Sequence, residues 1–361
     1  MGTETVQVGL GERSYPIVIG SGVLDTVGAA LAEARIGRRW AIITDDVVGP
    51  LYGGRLVDLL GAAGIDCELI TFAHGESSKH LVTIGTLASE LAERGFDRGD
   101  AVLALGGGVV GDMAGFLASI YLRGIPFVQV PTSLLAQVDS SVGGKTGVDL
   151  DQGKNLVGTF YQPRAVFIDT DVLRTLPEAE FRGGMGEVIK YGASIDSDFF
   201  AFLERERPAI QRLEPAAIVP MIRRCCELKA SVVERDEREG GLRRILNFGH
   251  TIGHAVEAAS GYRLIHGFAV AIGMRAVAEL ALRGGLAGPE VVAAITNMLE
   301  AYGLPTTIPP ELDRSQIRRY LQADKKSIGG RVFFVLPEAL GRVVITDRID
   351  PADLEAVLAA P

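Results

Sequence analysis

Short apolar runs in the first half of the chain alternate with segments of helical periodicity, and this order limits the fold more than any other feature. Apolar residues recur about every 3.6 positions between 51 and 63 and again between 78 and 94. Strands that are linked through helices lie parallel, in a sheet with both faces covered, and ligands bind at their carboxyl ends. The predicted strands are WAIITDD (40–46), CELITFA (67–73), AVLALGGG (101–108), FVQVPT (127–132) and AVFIDT (165–170).

The pattern changes near Pro177, after which helical periodicity predominates. One late pair of apolar runs, RVFFVL and GRVVIT, predicts a β-hairpin. A chain of 361 residues is also long for a single hydrophobic core. We therefore predict an α/β domain with a parallel sheet at residues 1–177 and a mainly α-helical domain at residues 178–361.

Composition excludes several classes of partner. The net charge of -9 and the pI near 5.2 argue against nucleic acid or an anionic membrane as the main ligand, which leaves a small molecule. Cys67, Cys225 and Cys226 form no C-x-x-C pair, so neither a disulfide framework nor a thiolate zinc site is indicated. The N-terminus does not resemble a signal peptide, and no apolar run approaches the length of a membrane span. We expect a soluble protein of the reducing cytoplasm.

The segment LALGGGVVGD follows a predicted strand and satisfies the pattern G-x-G-x-x-G at Gly106, Gly108 and Gly111. Glycines there let the backbone approach a pyrophosphate, and the start of the next helix offers free N–H groups. The acidic residue expected about 20 positions later is missing, so Asp45 and Asp46 become the candidates for the ribose hydroxyls. This glycine-rich segment is interpreted either as a dinucleotide site or as a tight turn without a ligand.

A second glycine-rich segment, SSVGGKTGVD, is not a nucleoside triphosphate loop, because Asp139 stands where that motif requires glycine. What remains is Lys145 between glycines, with Lys154 and Asn155 shortly after it. Two lysines and an amide in flexible, polar backbone suit an anionic, hydroxylated ligand. A solvated loop is the alternative.

Three of the five histidines lie between residues 250 and 266. His250 and His254 are four residues apart, which on a helix lets both reach one metal ion, and His266 follows. Glu187 could complete a set of two imidazoles and one carboxylate, which in catalytic zinc sites leaves a coordination position open. Lys190 lies three residues after Glu187, so an ordinary helical ion pair also explains that spacing.

The chain holds seven lysines against 29 arginines. Arginine has therefore taken over the general role of surface cation, and each lysine becomes a candidate for work that needs a compact ammonium group.

The motifs GGGVVGDMAGF, RGIPFVQVPTSLLAQVDSSVGGKTGVD, GKNLVGTFYQP, GGMGEVIKYG, DEREGGLRRILNFGHTIGHAVEA, HGFAVAIGM and DKK occur in this order between about residue 40 and residue 330. Together they resemble 3-dehydroquinate synthase, a sugar phosphate cyclase. The resemblance implies a dehydroquinate synthase-like fold and conversion of 3-deoxy-arabino-heptulosonate 7-phosphate to 3-dehydroquinate and phosphate in the shikimate pathway. It also implies bound NAD, a divalent metal that is usually zinc, and a homodimer.

The resemblance also assigns residues to roles. The metal ligands would be Glu187, His250 and His266, with His254 facing the substrate. The contacts to the dinucleotide would be Asp45, Glu76, Lys79, Gly107, Gly108, Asp112, Thr132, Ser133, Lys145, Lys154 and Thr175. The substrate and catalytic set would be Arg123, Asp139, Lys145, Lys154, Asn155, Lys190, Lys229, Arg243, Asn247, His254 and Lys325, with Lys326 as the alternative to Lys325.

The chain departs from the family pattern at one position. Where the family reads His-Gly-Glu, this chain reads His266-Gly267-Phe268, so a carboxylate that could orient His266 is missing. Three rival functions remain open. They are the synthase of the amino analogue or another sugar phosphate cyclase, an NAD- and metal-dependent polyol dehydrogenase, and a non-catalytic NAD-binding protein.

Overall fold

The computed structural model describes residues 2–327 and 331–359, with the backbone alone for residues 323–327. The chain divides into two compact units. The first unit comprises Met1–Leu176 and Ile218–Glu234, and the second comprises Pro177–Ala217 and Arg235–Pro361. The units change at Pro177, where the sequence pattern changes, but residues 218–234 pack with the first unit rather than with the helical part that surrounds them in sequence.

The first unit contains the predicted alternation of strands and helices. Its elements before residue 177 are β1 (Glu4–Val8), β2 (Tyr15–Gly20), α1 (Val27–Ala34), β3 (Arg39–Asp45), α2 (Gly54–Ala62), β4 (Asp66–Phe72), α3 (Leu81–Glu93), β5 (Ala101–Gly106), α4 (Gly108–Ile120), β6 (Phe127–Pro131), β7 (Lys145–Leu150), β8 (Gly153–Phe160) and β9 (Val166–Asp169).

Seven of these strands form one sheet in the order β1-β2-β9-β6-β5-β3-β4. All neighbours pair in parallel except β1, which runs antiparallel to β2 at the edge. The predicted parallel sheet is confirmed. Because Gly106 pairs with Pro131 and Thr44 with Leu105, the residues that follow β3, β5 and β6 emerge at the same edge of the sheet.

Both faces of the sheet are covered at its centre, which explains why β3, β5 and β9 are buried without alternation. On one face, Ile43 and Val102 pack with Leu87 of α3 and Met113 of α4. On the other face, Trp40 and Leu103 pack with Leu31 of α1 and with Leu56 and Leu60 of α2.

Strands β7 and β8 form a separate antiparallel hairpin, where the sequence interpretation placed a flexible loop. Lys145 begins β7, and Lys154 and Asn155 lie in β8. The hairpin is ordered because Val148 joins the core that α4 covers, and because the N–H of Asp149 donates to the carbonyl of Lys79 at 2.8 Å. The hairpin therefore gives these polar side chains a fixed backbone.

The rest of the chain is mainly helical, as predicted, and its late hairpin is present. Its elements are α5 (Glu178–Ser194), α6 (Ser197–Gln211), α7 (Pro215–Arg235), α8 (His250–Ala259), α9 (His266–Arg283), α10 (Pro289–Ala301), α11 (Arg314–Ser327), the hairpin of β10 (Phe334–Ala339) and β11 (Arg342–Thr346), and α12 (Pro351–Ala359). Among the described residues, no helix combines the length and the apolar character that crossing a membrane requires.

We predict that the buried carboxylate of Asp169 stabilises the first unit. It accepts hydrogen bonds from the N–H groups of Gly22, Leu24 and Asp171 at 2.9–3.0 Å, and the residue is 3% exposed. Asp169→Ala would leave these donors without a partner and should lower the free energy of unfolding by about 2–4 kcal/mol. Urea denaturation followed by circular dichroism measures this.

The matched control is Asp171→Ala, because the carboxylate of Asp171 accepts from Ser21 in an exposed position. We expect it to cost less than about 1 kcal/mol. Equal denaturation midpoints for the two variants would contradict the assigned role of Asp169.

Candidate functional site

The glycine-rich turn after β5 has the geometry of an anion site. The first helical hydrogen bond of α4 runs from the N–H of Gly111 to the carbonyl of Gly107, so the preceding N–H groups have no partner within the helix. A Cβ added to Gly107 would meet only the Ser133 side chain, at 3.5 Å or more. A Cβ at Gly111 would lie 2.7 Å from Gln129 Oε1, so glycine lets α4 pack closely on β6. The turn fits a pyrophosphate at a helix N-terminus.

Asp45 and Asp46, the candidates for the ribose contact, already have partners. Asp45 Oδ1 accepts from the N–H groups of Val47 and Val48 at 3.0 and 2.7 Å, so this carboxylate orders the turn after β3. Asp46 Oδ1 accepts from the backbone N–H of His74, and that hydrogen bond and the imidazole lower the pKa of Asp46. Asp45 lies at the same edge of the sheet as the glycine turn.

The remaining predicted contacts on this part of the chain are hydrogen-bonded to the fold itself. The N–H of Thr132 donates to the carbonyl of Gly106 at 2.9 Å, which fixes the chain beside the glycine turn. Ser133 Oγ accepts from the N–H of Ala136 at 3.3 Å. Thr175 Oγ1 lies 2.5 Å from the hydroxyl of Tyr52, so it anchors the chain after β9.

Five of the predicted residues form two polar groups, one around the buried Lys79 and one a partly exposed ion pair. Lys79 Nζ donates to Asp112 Oδ2 at 2.7 Å and to Asn155 Oδ1 at 2.6 Å. Lys154 Nζ lies 3.3 Å from Glu76 Oε1. Burial acts to lower the pKa of Lys79, but the charges of Asp112 and Glu76 outweigh it and raise the pKa, so the ammonium stays protonated.

A second buried lysine links residues 218–234 to the rest of the first unit. Lys229 Nζ on α7 donates to the carbonyl and to Oδ1 of Asp139 at 2.6 and 2.7 Å. Arg123 and Lys145 are exposed, in contrast to Lys229. Arg123 and Asn155 also have positive φ angles of 71° and 54°, which cost energy for residues other than glycine and are concentrated at functional sites.

The second unit brings together the predicted metal ligands. Glu187 lies on α5, His250 begins α8 and His266 begins α9. Glycines let these three helices approach closely. A Cβ at Gly267 would lie 1.8 Å from the carbonyl oxygen of Gly183 on α5, and one at Gly273 would lie 1.9 Å from that of Gly249, immediately before α8.

The distances match the spacing of ligands around a tetrahedral metal. His250 Nε2 and His266 Nε2 lie 3.3 and 3.4 Å from Glu187 Oε1. Ligand atoms about 2.0–2.1 Å from a tetrahedral zinc ion lie about 3.3–3.4 Å from one another. Glu187 Oε2 is paired with the ammonium of Lys190, whereas Oε1 faces the two imidazole nitrogens. A buried carboxylate oxygen that faces two imidazole nitrogens fits a cation.

Glu187 is anionic although it is completely buried. Burial acts to raise its pKa, but the ammonium of Lys190 and the imidazole of His250 hold the pKa well below its usual value. Lys190 forms the predicted i,i+3 ion pair, so the ion pair and the candidate metal site share one carboxylate.

The second ring nitrogen of each imidazole is fixed as well. His250 Nδ1 lies 3.2 Å from the carbonyl oxygen of Phe248, and His266 Nδ1 lies 3.0 Å from Glu257 Oε2. A carbonyl can only accept, so Nδ1 of His250 carries the proton and Nε2 offers its lone pair. Phe268 therefore does not leave His266 without a carboxylate partner, because Glu257 is one.

A three-histidine set is the alternative. One ligand nitrogen from each of His250, His254 and His266 lies within 4.8 Å of the others. The buried Glu187 Oε1, at 3.3 and 3.4 Å from His250 Nε2 and His266 Nε2, adds an anionic donor to two of these histidines, which favours the carboxylate set. His254 is exposed and its ring lies 5.1 Å from that of His250, so its position fits contact with a bound molecule.

The segment before α8 carries the predicted residues Arg243 and Asn247. It also carries Glu239, which the sequence did not indicate. Asn247 Nδ2 donates to Glu239 Oε1 at 3.2 Å, and Glu239 has a positive φ angle of 61°. Arg243 is 2% exposed.

The carboxylate of Asp236 organises the same segment. It accepts from the N–H groups of Gly240, Gly241 and Arg243 at 2.7–2.9 Å, and these bonds lower the pKa of Asp236. The side chains of Lys325 and Lys326 lie outside the described residues.

We predict that Asp236 protects residues 236–247 from local unfolding. Asp236→Ala removes the acceptor of three backbone hydrogen bonds, so trypsin should cleave after Arg238, Arg243 or Arg244 at least about five times faster, since about 1 kcal/mol changes an opening equilibrium by that factor. Mass spectrometry of the fragments measures the rate.

The control for this prediction is Asp313→Ala. Asp313 also accepts a backbone N–H, from Ser315, but in a different segment. Its cleavage near Arg243 should match the unsubstituted chain. If Asp236→Ala behaves in the same way, Asp236 does not organise the segment.

Two family models match the chain. They are 3-dehydroquinate synthase N-terminal at residues 69–183 and 3-dehydroquinate synthase C-terminal at residues 184–327. The 3-dehydroquinate synthase of Desulforamulus reducens is 47% identical over 355 residues, which cover 98% of this chain and 99% of that protein.

Two solved structures are similar over nearly the whole chain. A 2-deoxy-scyllo-inosose synthase complexed with carbaglucose-6-phosphate, NAD+ and Co2+ is 30% identical with a TM-score of 0.91, and the match covers 98% of this chain and 99% of that chain. A 2-epi-5-epi-valiolone synthase from Streptomyces hygroscopicus with NAD+ and Zn2+ bound is 30% identical with a TM-score of 0.89, covering 97% of each chain. By the two family models and the full-length relative, this chain belongs to the 3-dehydroquinate synthase family.

Proposed function

We propose that the chain converts 3-deoxy-arabino-heptulosonate 7-phosphate to 3-dehydroquinate and phosphate, with NAD and a divalent metal as cofactors. The observation that carries this proposal is the convergence of His250 Nε2 and His266 Nε2 on a buried, anionic Glu187, in a chain that aligns over its full length with a 3-dehydroquinate synthase.

Glu187, His250 and His266 would hold the metal, and we propose zinc, with cobalt as the alternative. The two cyclases of similar structure contain Co2+ and Zn2+. A metal bound there supplies Lewis-acid polarisation of a substrate hydroxyl and of the ketone formed from it. The carboxylate contributes the negative charge of the set, and Nδ1 of each imidazole holds its ring in place through Phe248 or Glu257.

The glycine turn and the N-terminus of α4 would hold the pyrophosphate of NAD. When bound, NAD supplies reversible hydride transfer, so the reaction shows no net oxidation. Oxidation of the neighbouring alcohol matters because it makes the adjacent C–H acidic, which allows phosphate to leave. Lys79, held by Asp112 and Asn155, supplies a fixed positive charge in the same unit.

Three other residues of the second unit would stabilise negative charge or transfer a proton. Arg243, whose backbone is fixed by Asp236, would pair with an anionic group of the substrate. Lys190 keeps Glu187 ionised and offers a cation where negative charge develops. His254 would move a proton, since its imidazole is exposed beside the two candidate ligands.

The rival cyclases are disfavoured by the level of identity. The dehydroquinate synthase relative is 47% identical, whereas the two cyclases that carry other names are 30% identical. The synthase of the amino analogue needs nearly the same residues, so only the substrate distinguishes it. A polyol dehydrogenase would accumulate NADH during turnover.

We expect purified protein with NAD and Zn2+ to release phosphate from the heptulosonate phosphate and to form 3-dehydroquinate. Phosphate is measured colorimetrically, the product by mass spectrometry, and NADH at 340 nm should not accumulate. A chelator should abolish release, and added Zn2+ or Co2+ should restore it. The amino analogue and other sugar phosphates serve as substrate controls.

Accumulation of NADH without release of phosphate would contradict this function in favour of a dehydrogenase. Failure of every substrate in the presence of metal and NAD would favour the non-catalytic protein.

We expect His250→Ala and His254→Ala to separate the two roles of the histidines. His250→Ala removes a ligand and should weaken Zn2+ binding by about 100-fold or more. His254→Ala should retain Zn2+ with nearly unchanged affinity and lower kcat by about 100-fold or more, as expected for loss of a proton-transfer group. Competition with a chromophoric chelator measures affinity.

Equal losses of zinc in the two variants would favour the three-histidine set. Glu187→Gln then decides between the sets, because it should weaken zinc binding only if the carboxylate is a ligand.

A further inference from the structure

We propose that Glu257 is a positioning residue that orients His266 for the divalent cation and strengthens its binding. This inference rests on the proposed metal site. Glu257 Oε2 lies 3.0 Å from His266 Nδ1, on the side of the ring opposite to the nitrogen that faces Glu187. A carboxylate in that place accepts the Nδ1 proton, fixes the ring orientation and raises the basicity of Nε2.

The geometry of α8 places Glu257 for this role. Glu257 follows His250 by seven residues, which is about two helical turns, so both side chains lie on the same face of α8. One helix therefore supplies a candidate ligand and the residue that orients another ligand. Close packing of α8 against α9, through Gly273 and the carbonyl of Gly249, brings His266 within reach of that face.

The turn between the two helices is held at Glu257 itself. The carbonyl of Glu257 accepts the hydroxyl of Ser260 at 2.6 Å and the N–H of Tyr262 at 3.1 Å. Ser260 Oγ also accepts the N–H of Leu264 at 3.1 Å, two residues before His266. The backbone of Glu257 and the start of α9 are thus fixed to each other, which limits movement of the imidazole relative to the carboxylate.

Burial of Glu257 favours its contact with His266. The side chain of Glu257 is 5% exposed and that of His266 is 29% exposed, so solvent screens the carboxylate less than it screens a surface ion pair. Phe268, two residues after His266, offers no carboxylate to that imidazole. Glu257 supplies a carboxylate to the same imidazole from a different helix.

The test measures metal affinity rather than turnover. Purified chain is titrated with Co2+, whose visible absorption reports the ligand geometry, and Zn2+ affinity is obtained by competition with a chromophoric chelator. We expect Glu257→Ala to bind either ion about 10–100-fold more weakly and to change the Co2+ spectrum. Glu257→Gln keeps an acceptor oxygen and should recover part of the affinity while remaining at least about threefold weaker than the unsubstituted chain.

The matched control is Glu279→Gln. Glu279 lies on α9 with His266, and its carboxylate pairs with Arg275 and Arg283. The variant removes the same charge from α9, the helix that carries His266, and should leave affinity and spectrum unchanged.

Two outcomes separate this inference from the proposed metal site. If the unsubstituted chain binds neither Co2+ nor Zn2+, the metal site itself fails and the inference fails with it. If the unsubstituted chain binds and Glu257→Gln has the same affinity and spectrum, only the role of Glu257 is overturned. Glu257→Gln is nearly isosteric, so it decides the question even if Glu257→Ala does not fold.

Discussion

The burial of the Glu187 carboxylate is the constraint on which the second unit depends. A carboxylate with no solvent exposure is costly unless positive charge surrounds it. Lys190 supplies part of that charge from the same helix, and two imidazole nitrogens lie at 3.3 and 3.4 Å. The helices that carry these groups must approach more closely than side chains normally allow, which is why Gly183, Gly267 and Gly273 line their contacts. The close packing of these helices and the grouping of positive charge around Glu187 therefore depend on each other.

Strands β1 and β2 were not predicted. The other five strands of the sheet could be predicted from the sequence because burial leaves a local signal, an apolar run. The β7–β8 hairpin could not, because its order comes from Val148 in a distant core and from a backbone bond to Lys79. The place of residues 218–234 was missed for a similar reason. Helical periodicity predicts that α7 is a helix, but the partner of Lys229 is Asp139, 90 residues away.

The candidate site shows the same limit. The i,i+4 spacing of His250 and His254 predicts a ligand pair, and only the family resemblance separated the two residues. The structure supports that separation through Glu187, which spacing cannot connect to His266 because the two lie on different helices. Glu239 and Glu257 were missed because a single glutamate on a helix or in a loop has no distinctive pattern. Their signals, a positive φ angle and a contact with an imidazole, exist only in three dimensions.

Three of the seven lysines lie in buried ion pairs, which explains why lysine is kept at these positions. Lys79, Lys190 and Lys229 are at most 6% exposed, and each is paired with a carboxylate, of Asp112, Glu187 and Asp139 respectively. Removing one partner of such a pair would leave an uncompensated buried charge, which is far more costly than losing a surface ion pair. A surface cation can be arginine or lysine without penalty, whereas these pairs need a compact ammonium at the end of a flexible stem. Each of these ammonium groups is therefore fixed by its own carboxylate partner, which explains why lysine persists at these three positions in a chain that otherwise uses arginine.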